Sequence, residues 1–191
     1  MRLFVAIELP PPLIAAAESV SQVLRERISR EASRARLTWV TPERMHVSVR
    51  FLGGVAADQG AALTRVLTAP LDSPAFTLSI GSAGAFPGRG APRALWVGLT
   101  GGDAALRAVE QEVSSRLETI GIPRESRPFS PHLTLARVRE PAGLRPASVL
   151  KEVTAPPHPG GRIDAITLFE SRLSPQGPTY TALLRTPLRQ G

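Results

Sequence analysis

Apolar positions along this chain recur with two different periods, and the switches between them mark out its elements. RLFVAIEL at 2–9 is a short apolar run closed by three prolines, which predicts a buried strand. Over 11–34 the period changes. Leu13, Ala16, Ala17, Val20, Val23, Leu24 and Ile28 fall at helical spacing behind an opening proline. LTWV then reads as a brief strand before the turn TPER. In RMHVSVRFLGG (44–54), His46, Ser48 and Arg50 alternate with Val47, Val49 and Phe51, a period of two and hence a strand.

A helix over 56–70 is stopped by Pro70. AFTLSIGSAGAF and RALWVGLT predict strands joined by the Gly/Pro-rich loop PGRGAP. The next helix has Asp103 near its start and Gly121 past its last turn. FSPHLTLARVR (129–139) repeats the histidine pattern, with a strand over 131–138. A short helix at 146–153, the loop APPHPGG and two final strands, RIDAITLFESRL and TYTALLRTPL, complete the chain, the last two joined by SPQGP as a hairpin. Intermingled strands and helices with a direct hairpin predict an α+β fold and not a doubly wound parallel sheet. Each half also runs strand, helix, histidine strand. That faint echo fits two similar lobes within one domain over 1–191, each supplying one histidine strand.

Composition narrows the class. A 191-residue chain with 42% hydrophobic residues can bury one large core or two small lobes sharing one. No apolar segment is long enough to span a bilayer, and the N-terminus turns acidic too soon for a signal peptide. The absence of cysteine excludes disulfide and thiolate chemistry, and a cytoplasmic location is expected. The net charge of +7 is carried almost wholly by arginine, Lys151 being the only lysine. Guanidinium suits phosphate by its forked donors. Dispersed arginines equally suit a genome that favours their codons, so charge permits nucleic acid binding without establishing it. There is no H-E-x-x-H, P-loop or G-x-S-x-G, and neither metal nor cofactor is expected.

Residues i and i+2 of a strand share a face. His46 therefore stands beside Ser48, and His132 beside Thr134, while Val47, Val49, Leu133 and Leu135 point into the core. A single histidine in an apolar strand is ordinarily a hydrogen-bonded core or edge residue. Two of the three histidines sharing one pattern point to chemistry; His158, among prolines and glycines, reads as a loop residue. Two such strands meeting across a cleft would surround one phosphorus with two imidazoles and two hydroxyls. A neutral imidazole takes a proton from water, a protonated one gives a proton to the departing oxygen, and the hydroxyls hold phosphate oxygens. Arg50 shares the His46 face, as a phosphate or RNA contact or as an exposed strand arginine. Arg137 falls opposite His132 and reads as structural. Arg89 and Arg93 flank a Gly/Pro loop from which they could reach a nucleotide. Phe4, Trp96, Phe129 and Tyr180 could stack a base or serve packing.

HVSV and HLTL resemble the two HxTx motifs of the 2H phosphoesterases, with serine in place of the first threonine. In order, RLFVAIEL, HVSVRFLG, GAFPGRGAPRALWVGL, RPFSPHLTLAR and ESRLSPQGPTY resemble the landmarks of bacterial RNA 2′,3′-cyclic phosphodiesterases of the LigT/ThpR type. The resemblance implies a bilobal, pseudo-twofold α+β fold, two antiparallel-rich sheets with outer helices around a central cleft. It implies metal-independent hydrolysis of RNA 2′,3′-cyclic phosphate ends to 2′-phosphomonoesters, with His46 as proton donor, His132 as proton acceptor, and Ser48 and Thr134 binding phosphate. Serine keeps the hydroxyl but loses the methyl that fixes the rotamer. Ser130 stands where many relatives carry a basic residue or histidine, and joins Arg50, Arg89 and Arg93 as a candidate RNA contact. The partner implied is RNA with cyclic phosphate ends, without membrane or obligate protein partner. Two alternatives stay open: an RNA-end binding module without turnover, and a weak 2′,5′ RNA ligase running the reverse reaction. Retention of both histidines and both hydroxyls speaks for turnover, since arginine alone would serve binding.

Overall fold

Strand β1 (Arg2–Glu8) is buried at five successive positions, as its unbroken apolar run requires. The computed structural model describes residues 1–174 and 177–190. Helix α1 (Pro11–Glu31) follows, with Leu13, Ala17, Val20, Leu24 and Ile28 turned inward. It stops short of the expected end at 34, because Ala32 leaves helical backbone geometry while its amide still reaches the Ile28 carbonyl. Then come β2 (Arg36–Trp39), a single 3-10 turn at Pro42–Arg44, β3 (His46–Gly54) and α2 (Ala57–Thr68). The second half comprises β4 (Leu71–Pro74), β5 (Phe76–Phe86), β6 (Ala94–Thr100), α3 (Asp103–Glu118), β7 (His132–Glu140), α4 (Pro146–Val149), β8 (Gly161–Ile163), β9 (Ala165–Ser174) and β10 (Gly177–Arg189). This is the α+β class expected. Among the described residues no helix is long and apolar enough to cross a membrane.

The strands form one path in the order β4-β10-β9-β1-β3-β7-β6-β5-β8, with β2 added beside β7. Every pairing is antiparallel except that of β10 with β4. At the middle of the path the two histidine strands touch through one register pair, Val47 with Leu133. A joint that narrow lets the strands on either side diverge and leaves room along it. The helices cross over: α1 packs on β5 and β8, whereas α3 packs on β3 and β4. Leu13, Leu24, Leu106 and Leu117 are fully buried by this exchange. Each contributes roughly 1.5–3 kcal/mol relative to an exposed side chain.

Among the helices α4 ends at Val149 and not at 153, and two strand assignments also depart from the sequence reading. LDSP becomes β4 although it has no alternation, because Glu112 of α3 accepts the amides of Asp72 and Ser73 at 2.9 and 3.0 Å and the Ser73 hydroxyl at 2.8 Å. RIDAITLFESRL is two strands, divided at Asp164. Its first part pairs with β5 at one end of the path, and its second with β1 and β10 in the other half. The hairpin β9–β10 begins at the pair Ser174 and Gly177; Pro175 and Gln176 of the SPQGP connection lie outside the described residues.

Candidate active site

His46 and His132 open their strands at equivalent places, and the nine positions of β3 and β7 follow the same order of burial. Val47 and Leu133 anchor the two strands in the core, so Ser48 and Thr134 share the opposite face with the imidazoles. Each strand then carries a bulge. In β3, Ser48 pairs with Ala6 and Arg50 with Val5, leaving Val49 unmatched. In β7, Thr134 pairs with Trp96 and Ala136 with Leu95, leaving Leu135 unmatched; the Leu135 carbonyl is taken by the amide of Val40 at 2.8 Å. One extra residue reverses the parity of everything after it.

The reversal corrects both arginine expectations. Arg50 does not share the His46 face: it turns inward, is 4% exposed, donates to the Pro123 carbonyl and approaches Glu125 at 4.0 Å. It ties the segment after α3 to β3 and is not placed to touch RNA. Phe51 comes out in its stead, 61% exposed. Arg137, expected on the far face, emerges beside His46, Ser48, His132 and Thr134 in a cavity of about 390 Å³. That volume falls in the range of about 300–1,000 Å³ usual for small-ligand sites. The two consecutive apolar residues before Arg137 were the only sequence signal for its bulge, and Val49-Arg50 offered none.

Both imidazoles are held alike. Nδ1 of His46 lies 2.8 Å from the Arg44 carbonyl, and Nδ1 of His132 lies 2.7 Å from the Ser130 carbonyl. A carbonyl only accepts, so Nδ1 carries the hydrogen and Nε2 is left for chemistry. Ser130 thus contributes its backbone, while its exposed side chain lines no cavity at the site. Aromatic rings fix the imidazoles laterally. Phe4 and Tyr180 stand 5.0 and 5.2 Å from His46, and Phe86 and Trp96 stand 4.9 and 6.2 Å from His132. Phe4 and Trp96 therefore serve packing around the histidines. Phe129 packs half-buried against the core, away from these rings. Tyr180 is packed against His46 and also lines the cavity.

Burial holds the pKa of His46 below the ordinary histidine value; the Arg44 carbonyl opposes this, and the charges of Arg137 and His132 add to the lowering. Burial raises the Tyr180 pKa, opposed by Arg137 and Arg44. His158 is different in kind. Its Nδ1 meets the Pro156 carbonyl at 2.9 Å and its Nε2 accepts the Ile80 amide at 3.0 Å, so both nitrogens are committed to pinning a loop onto β5. Arg93 lines a second, adjoining cavity, whereas Arg89 is exposed on its loop and lines neither. Among the described residues no three His, Asp or Glu side chains gather into a set able to hold a metal.

The Trp96 ring behind His132 lies flat on Gly84, where an added Cβ would overlap it. Gly84→Ala is expected to lose about 1–3 kcal/mol of stability through overpacking and to shift the imidazole resonances of His132. Thermal unfolding together with histidine NMR checks both; an unchanged melting point with unmoved resonances would mean the ring has room.

A family described as the 2′-5′ RNA ligase superfamily matches residues 10–174. An Escherichia coli protein named RNA 2′,3′-cyclic phosphodiesterase is 32% identical over 196 residues, spanning 99% of this chain and 97% of that one. One of the same name from Archaeoglobus fulgidus is 29% identical over 183 residues, spanning 96% and 98%. Among solved structures, one from Thermus thermophilus superposes with a TM-score of 0.79 at 28% identity, covering 100% of this chain and 99% of that one. The crystal structure of E. coli LigT complexed with 3′-AMP gives 0.67 at 26% identity, covering 99% and 98%.

Proposed function

Because the chain belongs to the 2′-5′ RNA ligase superfamily, we propose that it is an RNA 2′,3′-cyclic phosphodiesterase that opens cyclic phosphate ends to 2′-phosphomonoesters. The observation that carries this reading is the convergence of two imidazoles from remote strands on one cavity with two hydroxyls and a guanidinium. In the proposed step His132 Nε2 removes a proton from water as the water oxygen attacks phosphorus. The bond from phosphorus to the 3′ oxygen breaks, and His46 Nε2 delivers a proton to that oxygen. Ser48 and Thr134 donate to the non-bridging oxygens, and Arg137 offers its forked donors to the same charge as it grows. The proton circuit is complete with these groups alone.

The donor role requires His46 to be charged, yet burial and the neighbouring cations disfavour its proton in the empty site. A phosphodiester anion entering beside Arg137 and His46 offsets the guanidinium charge and favours the imidazolium. Substrate binding thus prepares its own acid. Joining of RNA ends through a 2′,5′ linkage needs only a 5′-hydroxyl in place of water as the attacking group, with the same bond to the 3′ oxygen broken, so weak 2′,5′ joining belongs to the same machinery.

The test is product identity. With a cyclic-ended oligonucleotide in excess chelator, a 2′-phosphate end is expected at full rate. A 3′-phosphate product, or a need for added metal, would overturn the mechanism, and tight binding with no product after prolonged incubation would leave an RNA-end binding module.

A further inference from the structure

A larger cavity of about 940 Å³ opens from the catalytic one, and His46, Phe51, Arg137, Arg139 and Tyr180 line both. Beyond that shared wall the chain adds Arg2 from β1, Arg93 from the loop before β6, and Leu173 from β9. Among the described residues no acidic side chain lines either cavity. Among the same residues Arg2, Arg93, Arg137 and Arg139 form no ion pair. Other arginines, such as Arg107, Arg116, Arg124 and Arg185, do have carboxylates beside them. Four uncompensated guanidinium groups facing one hollow make a field for more than one negative charge.

The same wall exposes large apolar side chains that folding would otherwise hide. Phe51 is 61% and Leu173 66% exposed, and both line the larger cavity. Guanidinium groups interleaved with open apolar faces suit a strand whose phosphates are charged and whose bases are unpaired. A cyclic mononucleotide, with one phosphate and one base, is matched by the smaller cavity. That cavity also contains Trp39, over whose ring Arg25 is stacked at 4.2 Å. A mononucleotide would leave the larger hollow unused.

We infer that the larger cavity is the cradle for the nucleotides immediately 5′ of the cyclic end, taken as an unpaired strand. The inference rests on the phosphodiesterase reading. Arg2, Arg93 and Arg139 hold the backbone phosphates, and Phe51 and Leu173 offer faces to the upstream bases. The enzyme then selects strand ends over free 2′,3′-cyclic nucleotides, and single-stranded ends over base-paired ones.

The experiment compares kcat/KM, across a salt series, for a 2′,3′-cyclic mononucleotide, single-stranded cyclic-ended oligonucleotides of increasing length, and a blunt duplex with the same end. The wild type and an Arg2→Ala/Arg93→Ala double variant are used, since these two exposed residues line only the larger cavity. The wild type is expected to prefer the single-stranded oligonucleotide over both other substrates by about tenfold or more. In the double variant the ratio of oligonucleotide to mononucleotide falls by about tenfold, and the logarithmic salt slope for the oligonucleotide falls by about 1.4, the share of two phosphate contacts to a single strand. Equal use of mononucleotide and oligonucleotide by the wild type, or an unchanged ratio and slope in the variant, overturns the cradle while leaving the phosphodiesterase reading intact. If no substrate is turned over, that reading fails by itself. The cradle is then decided by anisotropy with a 2′-phosphate-ended oligonucleotide: weaker binding to the variant upholds it, and equal binding overturns it.

Discussion

Replacing His132 with alanine is expected to slow opening of a cyclic-ended oligonucleotide by about 10²–10⁴-fold, the usual contribution of one positioned acid or base. The fold should survive. His132 is only half-buried at the first position of β7, and the strand is held by Leu133, Leu135 and Ala136, all fully buried. Circular dichroism and thermal unfolding should therefore stay close to wild type while turnover collapses. His46→Ala is expected to cost as much activity but more stability, because the His46 imidazole is the more deeply buried of the two, enclosed between Phe4 and Tyr180. The His46→Ala/His132→Ala double variant should be little slower than either single one, since in the proposed mechanism the two imidazoles serve one proton circuit and their losses do not multiply. Single-turnover product formation is the measurement, and an undiminished rate in either variant removes that histidine from the mechanism.

Local patterns in the chain carried the histidine strands, since alternation, flanking prolines and the shared H-x-[ST]-x spacing are all properties of short segments. The same holds for α1 and α3, whose apolar spacing and terminal signals lie within the helices. What escaped is non-local. The bulges at Val49 and Leu135 exist because neighbouring strands, β1 for one and β6 with the Val40 amide for the other, accept two residues against one. No periodicity within HVSVRFLGG announces that, so strict alternation sent Arg50 toward the cleft and Arg137 away from it. The break at Asp164 is hidden for a related reason. Ile163 and the largely apolar run from Ala165 to Phe169 lie on either side of Asp164, and only the partners on either side decide that they separate. The short edge strand β4 is held by its pairing with β10 and by the Glu112 side chain, neither of which is visible within LDSP itself.

Arg137 carries the second large expected effect, and it also assigns the two histidines. Arg137→Ala should reduce the rate by about 10²–10³-fold, as removal of one donor to a developing phosphate charge does elsewhere. Arg137→Lys, which keeps the charge and loses the fork, should recover only part of it. The pH dependence is the more telling readout. In the free enzyme the guanidinium lowers the pKa of His46, so its removal raises that pKa, and kcat/KM reports the free enzyme. An acid is lost as pH rises through its pKa. If His46 is the proton donor, the high-pH limb of kcat/KM moves upward in Arg137→Ala and stays nearly in place in Arg137→Lys. Were His46 the base, the low-pH limb would move upward instead, because a base is gained as pH rises through its pKa. NMR titration of the His46 imidazole in both variants ties the moving limb to the residue. No shift while the rate falls would mean that Arg137 acts on the substrate alone and that the proton on His46 is set by burial without it; a downward shift would overturn the sign of the coupling.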